Sequence, residues 1–139
     1  MEFRNNHRCF VCGKDNPDGL HLDFAAEGES GVRTTFVVPD RFQGFADIAH
    51  GGILATILDE CMVNTVWLRG ITAVTARFEV RLRRPVQVGT RVTFRAEVLR
   101  ESAKGFEVAS RAELDDGTIV AEGHALLVKV GGKAESLLT

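Results

Sequence analysis

The spacing of apolar and polar residues along the chain predicts the order of its elements. Residues 20–26 and 32–38 have strand composition and flank the turn-rich segment EGESG, which predicts a hairpin. Residues 50–68 form the longest apolar run and predict a single helix that ends near Gly70. Everything after that is predicted as strand: residues 72–84, 88–100, 106–114 and 118–130, the last two joined by the hairpin sequence DDG.

The segment 72–84 alternates residue by residue. Val74 and Phe78 fall on one face, while Thr75 and Arg77 fall on the other. This alternation is typical of a strand with one buried and one wet face, so Thr75 is expected on the polar side.

The predicted helix is apolar on nearly all sides and must therefore be buried on nearly all sides. Long antiparallel strands curl, so a curved sheet wrapped around the helix would cover most of it, and a second molecule would cover the remaining flank. No linker or repeat divides the chain, which predicts one α+β domain over residues 1–139. Residues 1–19 form a polar lead-in and residues 131–139 a loosely held tail.

Charge and composition exclude several classes of protein. Seventeen basic and nineteen acidic side chains give a net charge of −2, which argues against a nucleic-acid binder. The polar N-terminus has no signal-peptide core, and the apolar run is interrupted by Asp59, Glu60 and Asn64, so no membrane association is expected. Three cysteines, an odd number, favour a reducing compartment, and we expect a cytoplasmic protein.

The helix segment HGGILATILDECM carries the candidate chemistry. His50 and Asp59 are nine positions apart, which at about 100° and 1.5 Å per residue places them on opposite faces and roughly 13 Å apart. One chain cannot bring both to one substrate. Two helices running antiparallel across a two-fold axis could do so, with two equivalent sites at a homodimer interface.

With these motifs the sequence resembles the hotdog-fold acyl-CoA thioesterases of the phenylacetate-pathway and 4-hydroxybenzoyl-CoA type. The resemblance covers roughly residues 9–130 and also rests on the segments CFVCGKDNPDGLHL, RRPVQVG and DDGTIVAEGHALLV. It implies a curved antiparallel sheet around one long helix and hydrolysis of an acyl-CoA thioester to free acid and CoA, without a cofactor. It also implies sites built from two subunits. Similar proteins often pair their dimers into homotetramers, and nothing in this chain decides that point.

The resemblance assigns roles to the residues of this segment. The start of a helix offers unpaired N–H groups and a partial positive charge, so Gly51 and Gly52 could stabilise the oxyanion while His50 orients the carbonyl or the loop. Asp59 would act as general base on water or attack directly to form an anhydride. Thr75, sixteen residues later, would hold the water or the carboxylate. Only the resemblance selects Asp59 over the adjacent Glu60.

Each of these residues also has a purely structural interpretation. Gly51 and Gly52 could serve close packing, His50 could be a simple cap, and Thr75 could be an ordinary strand residue. A buried acid is costly and tends to mark function. The arginines before Pro85 could bind the phosphates of CoA or simply form a solvated strand face; they are Arg81, Arg83 and Arg84.

Two other functions stay open on the same fold. One is a non-catalytic acyl-CoA-binding module, which would not need Asp59. The other is an enoyl-thioester hydratase, although the spacing from Asp47 to His50 does not match the Asp and His of those enzymes.

The lead-in contains residues that could bind a metal, namely His7, Cys9, Cys12 and His21. Structural zinc needs four well-spaced ligands, and the spacing of His7 and Cys9 is poor. A redox CxxC pair needs a helix N-terminus after a strand, which is not evident here. We therefore expect no metal, and CFVCG is expected to pack the lead-in against the mouth of the barrel that the curved sheet forms.

Overall fold

The computed structural model describes residues 2–131 and, within them, has the predicted order of elements. The elements are β1 Ala25–Glu27, β2 Gly31–Val37, a 3-10 turn Asp40–Phe42, α1 Gly51–Trp67, β3 Ala73–Leu82, β4 Arg91–Glu101, β5 Gly105–Glu113 and β6 Ile119–Lys129. The predicted tail lies, from residue 132 onward, outside the described residues.

The first predicted strand is mostly wrong, because only Ala25–Glu27 joins the sheet. Leu20 and Leu22 are buried, yet their N–H groups donate to the carbonyls of Phe10 and Val11, each at 2.9 Å. This segment therefore pairs with the lead-in. The alternating apolar residues of this segment correctly predicted that their side chains are buried. They did not predict which segment its backbone would pair with.

The six strands form one antiparallel sheet in the order β1-β2-β4-β5-β6-β3. β3 follows the helix in sequence and pairs with β6 alone, so it lies at one edge of the sheet. Its ten residues leave a row of backbone groups without a strand partner among residues 2–131. Such an edge is a site where a second chain can pair.

The helix α1 packs against β2 to β6, and its buried face forms the centre of the core. The side chains of Ile57, Leu58 and Met62 are fully buried there. Full burial of each such side chain contributes about 1.5–3 kcal/mol relative to exposure. Among residues 2–131, no helix is long and apolar enough to cross a membrane.

One flank of α1 is left open by the sheet. Residues at helical spacing along this flank are exposed or half-buried: Gly52, Thr56, Asp59, Val63 and Trp67. Trp67 keeps 42% of its surface exposed. We call this row the open flank.

Candidate active site

The start of α1 is capped by His50. The backbone of His50 is extended, with φ −63° and ψ 130°, and its Nδ1 accepts a hydrogen bond of 2.9 Å from the Gly52 N–H. Because Nδ1 accepts, the ring is held with any single proton on Nε2. The Gly52 N–H is therefore occupied within the chain, and His50 takes the capping role that the sequence left as one of its interpretations.

The Gly51 N–H is in a different situation. It lies at the first position of the helix, and no acceptor among residues 2–131 is placed to receive it. Of the two predicted oxyanion donors, Gly51 is thus the one whose N–H is available to a ligand.

A cleft of about 450 Å³ opens in front of Gly51 and has mainly apolar walls. Phe45 and Leu82 line it and are 89% and 54% exposed. A Cβ atom added to Gly51 would lie 2.6 Å from Cδ1 of Leu82, so only glycine allows this close approach without displacing Leu82. The cleft can therefore take an apolar chain whose polar end meets the helix N-terminus.

The structure brings two of the three predicted arginines to this cleft. Arg83 and Arg84 line it, whereas Arg81 lines a separate groove of about 640 Å³ together with Glu79. The guanidinium of Arg83 also forms an ion pair of 2.7 Å with Glu122. The charge of Arg83 is therefore partly offset before any ligand binds.

Asp59 lies near the middle of α1, and its carboxylate contacts Thr75 of β3. The Thr75 hydroxyl donates to Oδ1 of Asp59 at 2.8 Å, and both side chains are half-buried. Burial raises the pKa of Asp59 above its usual value, and the hydrogen bond from Thr75 acts in the opposite direction. A partly desolvated carboxylate held by one donor is a suitable general base once it is ionised.

A β-bulge makes this contact possible. Thr75 pairs with the buried Leu127 while Arg77 pairs with Leu126, so the register of β3 and β6 shifts between Thr75 and Arg77 and Ala76 is left over. Residues paired across two strands point to the same face, so Thr75 lies on the helix side of the sheet. The prediction that Thr75 faces the polar side was wrong, because one extra residue reverses the alternation.

The two adjacent acids of α1 have different partners. Oε1 of Glu60 lies 3.4 Å from the sulfur of Cys9 and 3.4 Å from the sulfur of Cys12, and it accepts a hydrogen bond from Asn64 at 3.4 Å. Glu60 therefore contacts the lead-in, while Asp59 contacts β3.

The histidines considered as ligands do not join the cysteines. The ring of His21 contacts the carbonyl of Asn16, and among residues 2–131 neither His7 nor His21 belongs to the group of ligand atoms that converges with the cysteines. The sequence pattern did not predict the contact of Glu60 with the cysteines. The helical position of Glu60, next to the open flank, was the only signal that could have pointed to it.

The candidate residues around Gly51 and those around Asp59 do not meet within residues 2–131, and we call these two groups the candidate half-sites. Gly51 and Asp59 lie on one helix, eight residues and therefore about 12 Å apart along its axis. Asp59 is not among the residues that line the cleft at Gly51.

The family model of the thioesterase superfamily matches residues 46–121. The comparison with curated proteins found no match. A solved thioesterase superfamily protein superposes with a TM-score of 0.81 at 21% identity over 88% of this chain, and the chain spans 63% of the length of that protein.

Two other solved structures are also similar. The Escherichia coli PaaI protein, from the phenylacetic acid degradation operon, has a TM-score of 0.76 and 20% identity, over 82% of this chain and 83% of that one. A hypothetical thioesterase from Streptococcus pneumoniae, solved with coenzyme A, has a TM-score of 0.74 and 17% identity, over 81% and 88%. Two further structures of that protein replace an aspartate and, sixteen positions later, a threonine by alanine. These similarities confirm the predicted hotdog fold, with one long helix against a curved antiparallel sheet.

Proposed function

The chain belongs to the thioesterase superfamily, and from this premise we propose that it hydrolyses an acyl-CoA thioester to the free acid and CoA. The observation that carries the proposal is the Gly51 N–H, which has no partner among residues 2–131 and belongs to a residue that lines the apolar cleft. A backbone N–H at a helix start is a suitable donor to the carbonyl oxygen of a thioester, because it stabilises the charge that develops there.

The second half-site supplies the group that activates water. Asp59 is partly desolvated and held by Thr75 at 2.8 Å. The sixteen positions between these residues equal the separation of the aspartate and threonine replaced in the S. pneumoniae protein. This agreement supports treating Asp59 and Thr75 as one functional unit.

The complete site requires a homodimer. The open flank of α1 and the edge of β3, which has no strand partner among residues 2–131 on that side, are both surfaces that a second copy can cover. A two-fold axis at the open flank would run the two helices antiparallel. Gly51 of one subunit would then face Asp59 of the partner subunit, and the second site would follow by symmetry.

The chemistry then has two routes that use the same groups. In the first, Asp59 takes a proton from water while the water oxygen attacks the thioester carbon. In the second, Asp59 attacks directly, and water hydrolyses the resulting anhydride. In both, the oxyanion lies at the Gly51 N–H, and its collapse breaks the C–S bond and expels the CoA thiolate. The thiolate takes up the proton that the attacking water loses, through Asp59 in the first route and during hydrolysis of the anhydride in the second, so that CoA leaves as the thiol.

Recognition of CoA falls to the arginines at the cleft. A planar guanidinium binds phosphate oxygens through two hydrogen bonds, and Arg84 lies at the cleft next to Pro85. Arg83 would have to share its charge with Glu122. Arg81 lies in the other groove, so we assign the contact with CoA to Arg83 and Arg84.

The proposal is tested with a panel of short, long and aryl CoA thioesters while the release of free thiol is followed. We expect hydrolysis of at least one class, and turnover that depends on Asp59. Tight binding of the panel without thiol release would instead identify a non-catalytic acyl-CoA-binding module.

A further inference from the structure

Three groups that bind soft or borderline metal ions converge beside α1, from two distant parts of the chain. They are the thiols of Cys9 and Cys12 and the carboxylate of Glu60, and their ligand atoms all lie within 4.8 Å of one another. All three side chains are half-buried. None of them belongs to either half-site of the proposed thioesterase.

The separations fit a tetrahedral zinc ion. With Zn–S near 2.3 Å and Zn–O near 2.0–2.2 Å, a sulfur and an oxygen on one tetrahedral ion lie about 3.5 Å apart. Both sulfurs are 3.4 Å from Oε1 of Glu60. The two sulfur–oxygen distances therefore already match those around one ion.

The turn that carries the cysteines is built to present both sulfurs on one side. The Gly13 N–H donates to the carbonyl of Cys9 at 2.9 Å, and the Val11 N–H donates to the Cys9 sulfur at 3.4 Å. A Cβ atom on Gly13 would lie 2.3 Å from the backbone nitrogen of Cys9, so this turn requires glycine. An N–H group aimed at a sulfur favours the thiolate that a metal needs.

Charge favours a cation at this point. A divalent ion would bind two thiolates and a carboxylate around one centre, and its positive charge would offset theirs.

We propose that Cys9, Cys12 and Glu60 bind a zinc-class divalent cation, with water at the fourth position. These residues line a cleft of about 490 Å³ that gives the fourth position access to solvent. The ion would fasten the lead-in to α1. The sequence had indicated no metal because it offered only His7 and His21 as further ligands, and Glu60 lies 48 residues beyond Cys12.

Metal binding to the metal-free chain tests this inference. Zn²⁺ is titrated against a chromophoric chelator, and proton release is followed with a pH indicator. We expect one equivalent of Zn²⁺ and the release of about two protons, from the two thiols. Co²⁺ in place of Zn²⁺ should give a thiolate charge-transfer band in the near ultraviolet.

The variants locate the site. Cys12→Ser should weaken Zn²⁺ binding by at least about a hundredfold, because one thiolate ligand is lost. Glu60→Gln keeps the shape of the side chain and should weaken it as well. His7→Asn is the matched control and should leave the affinity unchanged, because asparagine tolerates the left-handed backbone at this position, φ 63°.

Three results would overturn the proposal. They are the absence of stoichiometric Zn²⁺ binding, an unchanged affinity in Cys12→Ser, and a loss of affinity in His7→Asn equal to that in the cysteine variant. The measurement reads metal and protons rather than turnover. A chain that binds no Zn²⁺ could therefore still be the proposed thioesterase. A chain that hydrolyses no thioester could likewise still bind Zn²⁺ at these residues.

Discussion

Replacing Asp59 by asparagine separates the roles of charge and shape at the proposed catalytic carboxylate. In the structure the Thr75 hydroxyl donates a hydrogen bond of 2.8 Å to Asp59. Asp59→Asn keeps the size of the side chain and an amide oxygen that can still accept this hydrogen bond. It removes the negative charge and the basic oxygen. Because burial already disfavours the charged carboxylate, the neutral amide should not destabilise the fold.

The expected loss of activity follows from the lost base. General base catalysis contributes about a hundredfold to ten-thousandfold in rate. This corresponds to about 2.7–5.4 kcal/mol of transition-state stabilisation. Substrate binding should persist, because the Gly51 N–H and the apolar cleft are unchanged. The loss should therefore appear in kcat and much less in KM.

The assay measures single-turnover thiol release from the best substrate of the panel, with thermal unfolding as the check on folding. Glu60→Gln is the comparison, because Glu60 is the adjacent acid and contacts the lead-in rather than Thr75. Its turnover should fall far less than that of Asp59→Asn. The opposite ranking would move the catalytic role to Glu60, and near-wild-type rates for both variants would refute hydrolysis by either carboxylate.

Other changes test the remaining parts of the site. Thr75→Val keeps the β-branched shape but removes the hydroxyl that donates to Asp59. A hydrogen bond to a charged group contributes at least about 1.5 kcal/mol, so kcat should fall roughly tenfold. His50→Ala should lower the free energy of unfolding by about 1 kcal/mol in urea titrations, because the Gly52 N–H loses its cap, and His50→Asn should recover most of that loss. Gly51→Ala should lower kcat/KM by roughly tenfold or more with little change in stability, because the new methyl group meets only the flexible end of Leu82 and narrows the cleft. Sedimentation should give at least a dimer, and an active monomer would rule out a site shared between two chains.

Local sequence signals predicted most of the elements. The helix was predicted over residues 50–68 and runs from Gly51 to Trp67, and the last three strands were predicted to within about three residues at each end. The long apolar run of the helix, the alternation of the strands and the turn residues between them are all properties of neighbouring residues. The same holds for the separation of His50 and Asp59, because helix geometry alone prevents one chain from uniting them.

Tertiary structure decided the details of the site. The bulge in β3 turned Thr75 toward Asp59, and the cap formed by His50 occupied the Gly52 N–H and left Gly51 available. The tertiary structure also brought Glu60 into contact with Cys9, which lies 51 residues earlier in the sequence. A local pattern predicts which side chains are buried wherever the period of the element is unbroken, and the bulge at Thr75 is the place where it is broken. It does not report which distant group covers that side chain, since this depends on how the lead-in and the sheet close around the helix.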